Sequence, residues 1–347
     1  MTQIPQDFYM PAEWSPHQGC WMAWPDREDV WIYGLDKPRQ AFAKVAQAIA
    51  TFEPVYLLVN AKQMMSALEY CKHPNIHIIE IPTSDIWLRD TGATFVINRT
   101  GGIAGIDWQF NAWGENREVL SDYQADVELA TNILNHLEID CYHAPFILEG
   151  GAIHVDGEGT LLTTEECLLS PTRNPELSRE DIEKHFKQYL GVKQIIWLGK
   201  GLQDDETAGH IDNVACFVRP NVVAALTCND PQDSNYDVLQ DNLQRLRQAT
   251  DAQGRKLEVI EIEQPSRRDD KDWRLALSYI NFYIANGGVI VPTFDDSKYD
   301  NTALNQIQQL FPQHKVMPVE GLDLIYGGGC VHCMTQQQPA IMMSDTL

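Results

Sequence analysis

Apolar residues recur at helical spacing in five separated stretches of this chain. They are residues 35–52 (LDKPRQAFAKVAQAIATF), 122–137 (DYQADVELATNILNHL), 178–191 (SREDIEKHFKQYLG), 236–251 (YDVLQDNLQRLRQATD) and 300–312 (DNTALNQIQQLFP). Each pattern predicts an amphipathic helix. Asp122, Ser178 and Asp300 are candidate caps, and Asp126 and Glu180 place acids in early turns. After most of these helices comes a short β-branched run: EPVYLLV from Glu53, NIHIIEI from Asn75, VKQIIWLG from Val192, KLEVIEI from Lys256 and HKVMPV from His314. A second motif repeats between them, in which glycine leads a short apolar or alternating run. Its copies are TGATFVIN from Thr91, GGAIHVDG from Gly150, AGHIDNVACFV from Ala208, GGVIVPTF from Gly287 and GGCVHCMT from Gly328. Each copy reads as a strand. Positions 92, 151, 209, 288 and 329 mark the repeat, with gaps of 59, 58, 79 and 41 residues. The alternation predicts an α/β protein of about five similar units, with no Pro/Gly-rich linker to divide it. The units could close into a ring whose glycine-led strands line a central channel, or lie side by side in an open sheet.

Composition narrows the function. The chain has 347 residues, 44% of them apolar, and 26 basic against 49 acidic side chains give a net charge of −23. That field disfavours nucleic acid and anionic membrane as partners and attracts small cations. No run of about 18 apolar residues predicts a membrane span. The start, MTQIPQDFYMPAEW, lacks a basic segment followed by an apolar one, so no secretion signal is expected. Neither G-x-x-x-x-G-K-[ST] nor a helix-opening G-x-G-x-x-G occurs. The eight cysteines lack the spacing of a disulfide framework, and the first six read as buried reduced thiols.

The last two cysteines stand in GGGCVHCMTQ, residues 327–336. Cys330 and Cys333 could be half of a zinc site, a redox pair, or one reactive thiol with a bystander. Zinc would need distant histidines, because no second C-x-x-C exists. Thioredoxin-like chemistry would need a helix opening, and MTQQQP is poor helix-start chemistry. Other polar residues gather on or beside the glycine-led copies: Asp85, Trp87, Arg89 and Asp90; Glu149 and His154; Glu206, His210 and Asp212; His332 with the cysteines. If DETAGHIDN is a strand, His210 and Asp212 point to one face. Carboxylate pairs hold a guanidinium by charge-assisted hydrogen bonds, a thiolate attacks an electrophilic carbon, and an imidazole moves protons. Taken singly, each has a plainer reading: a satisfied core histidine, a solvated acidic loop, a turn-capping Arg-Asp pair.

The segments MPAEWSPHQGCWMAWP, DIWLRDTGATFV, LEGGAIHVDGEGTLLTTEECLL, TRNPELSREDIE, DETAGHIDNVACFV, YINFYIANGGVIVP and GGGCVHCMTQQQP, in this order from Met10 to Pro339, resemble the agmatine deiminases of the guanidine-modifying pentein superfamily. The resemblance implies one pentein domain over residues 1–347, a five-unit ββαβ propeller with pseudo-fivefold symmetry and a central active-site channel. It implies Cys333 as nucleophile, His210 as general acid and base, and Asp90 and Asp212 as guanidinium-binding carboxylates. Glu206 would meet the substrate's distal amine, Trp87 would flank its chain, and Glu149 is a further candidate substrate contact. The implied reaction converts agmatine to N-carbamoylputrescine and ammonia in putrescine biosynthesis, through a covalent thiouronium intermediate. No metal or organic cofactor is required. A cytoplasmic homo-oligomer is expected, binding a small cationic guanidine and neither nucleic acid nor membrane. Two substitutions depart from the family pattern, Cys330 for the usual Asn and Ala93 for the usual Pro, and Pro265–Leu275 is shorter than in many relatives. Deimination of peptidyl-arginine or another guanidine is the alternative activity. A non-catalytic pentein binding protein is the alternative class.

Overall fold

The computed structural model describes residues 4–115 and 122–341. The fold is mixed α/β. Among the described residues, five sheets share one local plan. In each, an opening strand runs antiparallel to the second strand, and a helix crosses from the second to a parallel third. Four units follow chain order. The first is Thr94–Ile97, Ile103–Gln109 and Asp140–Ile147; the second is His154–Val155, Thr160–Thr164 and Gln194–Leu198. The third is Ala215–Arg219, Val222–Thr227 and Glu258–Glu263; the fourth is Tyr283–Ala285, Gly288–Thr293 and Lys315–Glu320. The fifth joins the two ends of the chain. Its opening strand, Gln336–Pro339, pairs antiparallel with His17–Ala23, which runs parallel to Val55–Val59, and Ile76–Glu80 adds a fourth strand.

All five predicted helices form. They span Asp36–Ala50, Leu129–Leu137 with a short preceding turn Gln124–Val127, Arg179–Leu190, Tyr236–Gln248 and Ser297–Leu310. Their apolar faces are the buried ones. Leu239, Leu243 and Leu246 are fully buried, each contributing roughly 1.5–3 kcal/mol of transfer free energy. Ser178 caps its helix in a reciprocal box with Asp181. Asp300 does not cap. It lies inside its helix and accepts from Phe294 N at 3.0 Å, Asp296 N at 2.9 Å and the Tyr279 hydroxyl at 2.7 Å, so it ties the preceding turn to the core. Asp122 sits just outside its helix and accepts from Gln124 N at 3.3 Å.

Two glycine-led stretches are not opening strands. GGVIVPTF forms the second strand of its unit, because the opening strand Tyr283–Ala285 is only 3 residues long and easily overlooked. GGCVHCMT makes consecutive turns, and the strand begins after it at Gln336. Counted from true opening strands at 94, 154, 215, 283 and 336, the repeat is 60, 61, 68 and 53 residues, far more even than the glycine spacing. His210 and Asp212 are also not on a strand. They belong to a tight helical turn, Ile211–Asn213, that precedes Ala215–Arg219.

Candidate active site

Each unit delivers one polar segment immediately before its opening strand. Asp90 lies on the short helix Leu88–Thr91, which ends at Gly92, where a Cβ would stand 2.5 Å from the Leu88 carbonyl oxygen. Glu149 leads the turn Gly150–Ala152. Gly150 tolerates no side chain, because its Cβ would fall 2.1 Å from the Arg89 carbonyl oxygen. His210 follows two left-handed residues, Ala208 at φ +60° and Gly209 at φ +95°, and the Thr164 hydroxyl donates to Gly209 O at 2.6 Å to hold that turn. Asn281 precedes the fourth opening strand and Cys333 the fifth.

These segments converge. A Cβ built on Gly151 would lie 2.5 Å from His210 Nδ1, 2.8 Å from Asp90 Oδ1 and 3.1 Å from Asp212 Oδ2. Three titratable groups from two other units therefore share one small space, and only glycine leaves it open. Gly151 N donates to Asp90 Oδ1 at 3.0 Å, and Trp113 Nε1 donates to Asp90 Oδ2 at 2.8 Å. The Cys333 thiol donates to Asp212 Oδ2 at 3.5 Å and accepts from Asn281 Nδ2 at 3.1 Å. His210, Asp212, Cys333 and Asp90 are all buried, at 0%, 2%, 4% and 5% exposure. Asp212 Oδ1, Trp87 Nε1 and both ring nitrogens of His210 have no hydrogen-bond partner among the described residues. Buried polar atoms without partners are costly, and here they cluster around one point.

Behind this point runs a chain of buried charges. His332 Nδ1 faces Asp212 Oδ2 at 2.9 Å, and its Nε2 faces Glu13 Oε1 at 2.9 Å. Both partners are carboxylates that can only accept, so both ring nitrogens carry protons and His332 is an imidazolium. Arg89 Nη1 donates to Glu13 Oε1 at 3.2 Å, and Arg89 N donates to Cys333 O at 3.1 Å, pinning the Asp90 helix to the Cys333 turn. Burial opposes the charge on Glu13, but His332, Arg89 and His154 outweigh it and hold the carboxyl well below its usual range. Burial likewise opposes ionisation of Asp212, and His332 overcomes it, leaving Asp212 lowered. Asp90 has a looser partner, with His210 Nδ1 3.7 Å from its Oδ1. Burial, with repulsion from Asp212 and Glu149, pushes it up to about 6 despite the attraction of His210. Burial works against a charged His210, yet the Asp90 carboxylate raises it well above the ordinary histidine range. Burial and then the Asp212 and Asp90 carboxylates push the Cys333 thiol well up. The thiol is therefore protonated at neutral pH until a cation joins it.

The other expected residues fall in two places. Trp87 lies against the Cys333 turn, where a Cβ on Gly329 would be 2.7 Å from its ring and 3.1 Å from Cys333 Cβ. Glu206 is half-buried in the wall of a cleft of about 740 Å³ with Asp29, Asp204, Asp270, Trp273 and Tyr326, which also reaches Gly327 beside the Cys333 turn. The short Pro265–Leu275 segment supplies part of that wall as a hairpin, Asp269–Asp270 with Trp273–Arg274, held by Trp273 Nε1 donating to Asp204 O at 3.1 Å. Glu149 stands behind His210. It is fully buried, accepts from Arg173 Nε at 2.8 Å, and has Oε2 3.7 Å from His210 Nε2. Cys330 is a bystander by contact: its thiol faces Gly321 O at 4.0 Å, and burial pushes it up to about 12. All eight cysteines are free thiols. Two buried groups could in geometry hold a metal ion, Glu13 with His154 and His332, and Glu149 with Cys167 and His210. In both, the carboxylate already pairs with an arginine.

Sequence reasoning passed over Glu13, Trp113, Arg173 and Asn281. Glu13 lies in the quoted MPAEWSPHQG segment, but nothing local marks it as a partner of a histidine 319 positions away. Trp113 had a faint signal in the glycine beside it. Ala112, Trp113 and Gly114 all take positive φ, at 54°, 54° and 83°, a costly run that aims the indole at Asp90.

A fold that assembles a buried thiol, imidazole and carboxylates at the mouths of repeated units is the one shared by a known group. The chain belongs to the Porphyromonas-type peptidyl-arginine deiminase family, whose profile matches residues 9–339. Among curated relatives, the agmatine deiminase of Stutzerimonas stutzeri is 46% identical over 362 residues, covering 98% of each chain. Among solved structures, the agmatine deiminase of Enterococcus faecalis superposes with a TM-score of 0.93 at 40% identity, covering 99% of each chain. The N-terminal domain of ArgZ, a cyanobacterial arginine dihydrolase, matches at TM-score 0.54 and 14% identity, a likeness of fold alone, covering 93% of this chain and 99% of that one.

Proposed function

We propose that this protein hydrolyses agmatine to N-carbamoylputrescine and ammonia by thiol catalysis, a step that supplies putrescine synthesis. The observation that carries the reading is the meeting of His210, Asp90 and Asp212 at Gly151, with Cys333 hydrogen-bonded to Asp212. In this reading the planar guanidinium lies between the Asp90 and Asp212 carboxylates, which fix it by charge-assisted hydrogen bonds and neutralise it. Its positive charge favours the thiolate, and the Cys333 proton passes to solvent as substrate binds. The sulfur attacks the guanidinium carbon. His210, held as imidazolium by Asp90 and Glu149, protonates one nitrogen, and ammonia departs as the thiouronium forms. Neutral His210 then takes a proton from water, the hydroxide adds to the same carbon, and the carbon–sulfur bond breaks to return the Cys333 thiolate while the new hydroxyl gives its proton to solvent, leaving the neutral carbamoyl product. Glu149, locked by Arg173, positions His210. Water is the only co-substrate, and no cofactor takes part.

Three features favour agmatine over arginine or a peptide. The cleft beside the Cys333 turn is walled by Asp29, Asp204, Glu206 and Asp270, which suits an amine at the substrate's far end and repels an α-carboxylate. Among the described residues the buried arginines are already committed, Arg89 to Glu13, Arg173 to Glu149 and Arg274 to Asp233. Burial of all four central groups also favours a slender free guanidine over an arginine within a polypeptide. The five units, with the last strand of the chain paired to the first strand, His17–Ala23, suit closure into a single propeller around the site. Eight unpaired thiols suit a reducing, cytoplasmic setting.

The test is ammonia release from agmatine, arginine and an arginyl peptide in the presence of a chelator. The reading expects release from agmatine alone, unaffected by chelation, and none from Cys333→Ala despite an unchanged circular dichroism spectrum. Preference for the peptide would transfer the assignment to peptidyl-arginine.

A further inference from the structure

A second cluster of reactive side chains lies at the edge of the sheet face covered by the helix Leu129–Leu137, with His143 open to solvent, and shares no residue with the Cys333 site. Asp107 and His143 are register partners on the parallel strands Ile103–Gln109 and Asp140–Ile147. Cys141 precedes His143 by two positions, so both side chains leave the same face. His143 Nδ1 is 2.8 Å from Asp107 Oδ2, and its Nε2 is 3.9 Å from Cys141 Sγ. From the helix Leu129–Leu137, the Thr131 hydroxyl donates to the same Asp107 oxygen at 2.8 Å and stands 3.6 Å from Cys141 Sγ. The His143 side chain is 61% exposed, which leaves the cluster open to solvent.

The carboxylate can only accept, so Nδ1 carries a proton, and in the neutral ring the Nε2 lone pair faces the sulfur. We propose that Cys141 and His143 form a binding site for a thiophilic divalent cation of the zinc class, outside the catalytic machinery. The ligand atoms would be Cys141 Sγ and His143 Nε2, with Asp107 as the carboxylate that orients the ring and strengthens it as a donor. Water would complete the coordination. Tetrahedral bonds of about 2.3 Å to sulfur and about 2.0 Å to nitrogen put those two atoms roughly 3.5 Å apart, so the observed separation asks only a small rotation of an exposed ring. The cation takes the place of the Cys141 thiol proton, which passes to solvent. Because the residues stand on paired strands with a helix behind them, the donors are held in place before any ion arrives.

Cobalt(II) titration of the purified chain, followed by its thiolate-to-metal charge-transfer absorption, tests the site, with zinc competition for affinity. One equivalent should produce the band, and zinc should abolish it. Cys141→Ser and His143→Ala should each remove the band, and Asp107→Asn should weaken binding about 10- to 100-fold. Cys333→Ala should keep it, and agmatine turnover should be unchanged in the Cys141→Ser protein. No band at stoichiometric cobalt, or a band that survives Cys141→Ser, overturns the proposal. A band lost in Cys333→Ala instead assigns the ion to the buried thiol and overturns it equally.

Discussion

His332 and Glu13 show how much a single side chain can do without touching a substrate. The imidazolium neutralises Asp212 on one side and is neutralised by Glu13 on the other. Removing one partner of such a buried set leaves an uncompensated charge, at a cost of about 3–5 kcal/mol. Glu13→Ala should therefore lower the urea midpoint by that equivalent at pH 7. The sign follows from Glu13 being held below its ordinary range. Its contribution is complete above the unfolded carboxyl value and fades only as pH falls through the lower folded one. The deficit should thus be full at neutral pH and shrink only in strong acid; equal midpoints at pH 7 would contradict the network. Asp90 sets a second expectation. Ionised, it grips the guanidinium; protonated, it cannot. With its pKa near about 6, kcat/KM should rise as pH increases through that value, and a profile flat down to pH about 4 would contradict the role given to Asp90.

Segments show a different economy: each opening strand is preceded by a short segment that carries one or two polar groups inward. Gly151 is the position in these turns that faces the reacting groups directly. Gly151→Ala would drive a methyl into His210, Asp90 and Asp212, and a displacement of about 1 Å there costs on the order of 100-fold in rate. Kinetics should show that loss in kcat/KM while the melting temperature moves little; near-normal turnover would mean the three groups do not share the reacting space. These turns also explain what could be read from the chain. Asp90, His210, Asp212 and Cys333 each sit in a glycine-marked motif, but singly each has a plainer reading, and their roles are implied only by the resemblance of the whole set to a family. The strand argument for His210 and Asp212 rests on a local structure that is not there; a tight turn carries both residues instead. Asn281 was illegible because the longer run GGVIVPTF drew the repeat one strand too late. Glu13 and Trp113 act across hundreds or tens of positions, and no local periodicity records such contacts.

The molecule as a whole carries −23 net charge, and its cleft concentrates several of the acids. A field of that sign should speed capture of a dicationic substrate and be screened by salt. Raising ionic strength from about 20 mM to about 500 mM, where the Debye length falls from roughly 20 Å to a few ångström, should lower kcat/KM for agmatine severalfold and leave kcat nearly unchanged. A salt-independent kcat/KM would remove steering from the account. Everything else depends on one covalent event, and the intact chain reports it directly. Acid quenching during turnover, followed by intact-mass and peptide-level mass spectrometry, should reveal one adduct per chain, equal to agmatine less ammonia and located on Cys333. An enzyme that turns over without ever carrying that mass, and whose Cys333→Ala variant still releases ammonia, would contradict the account.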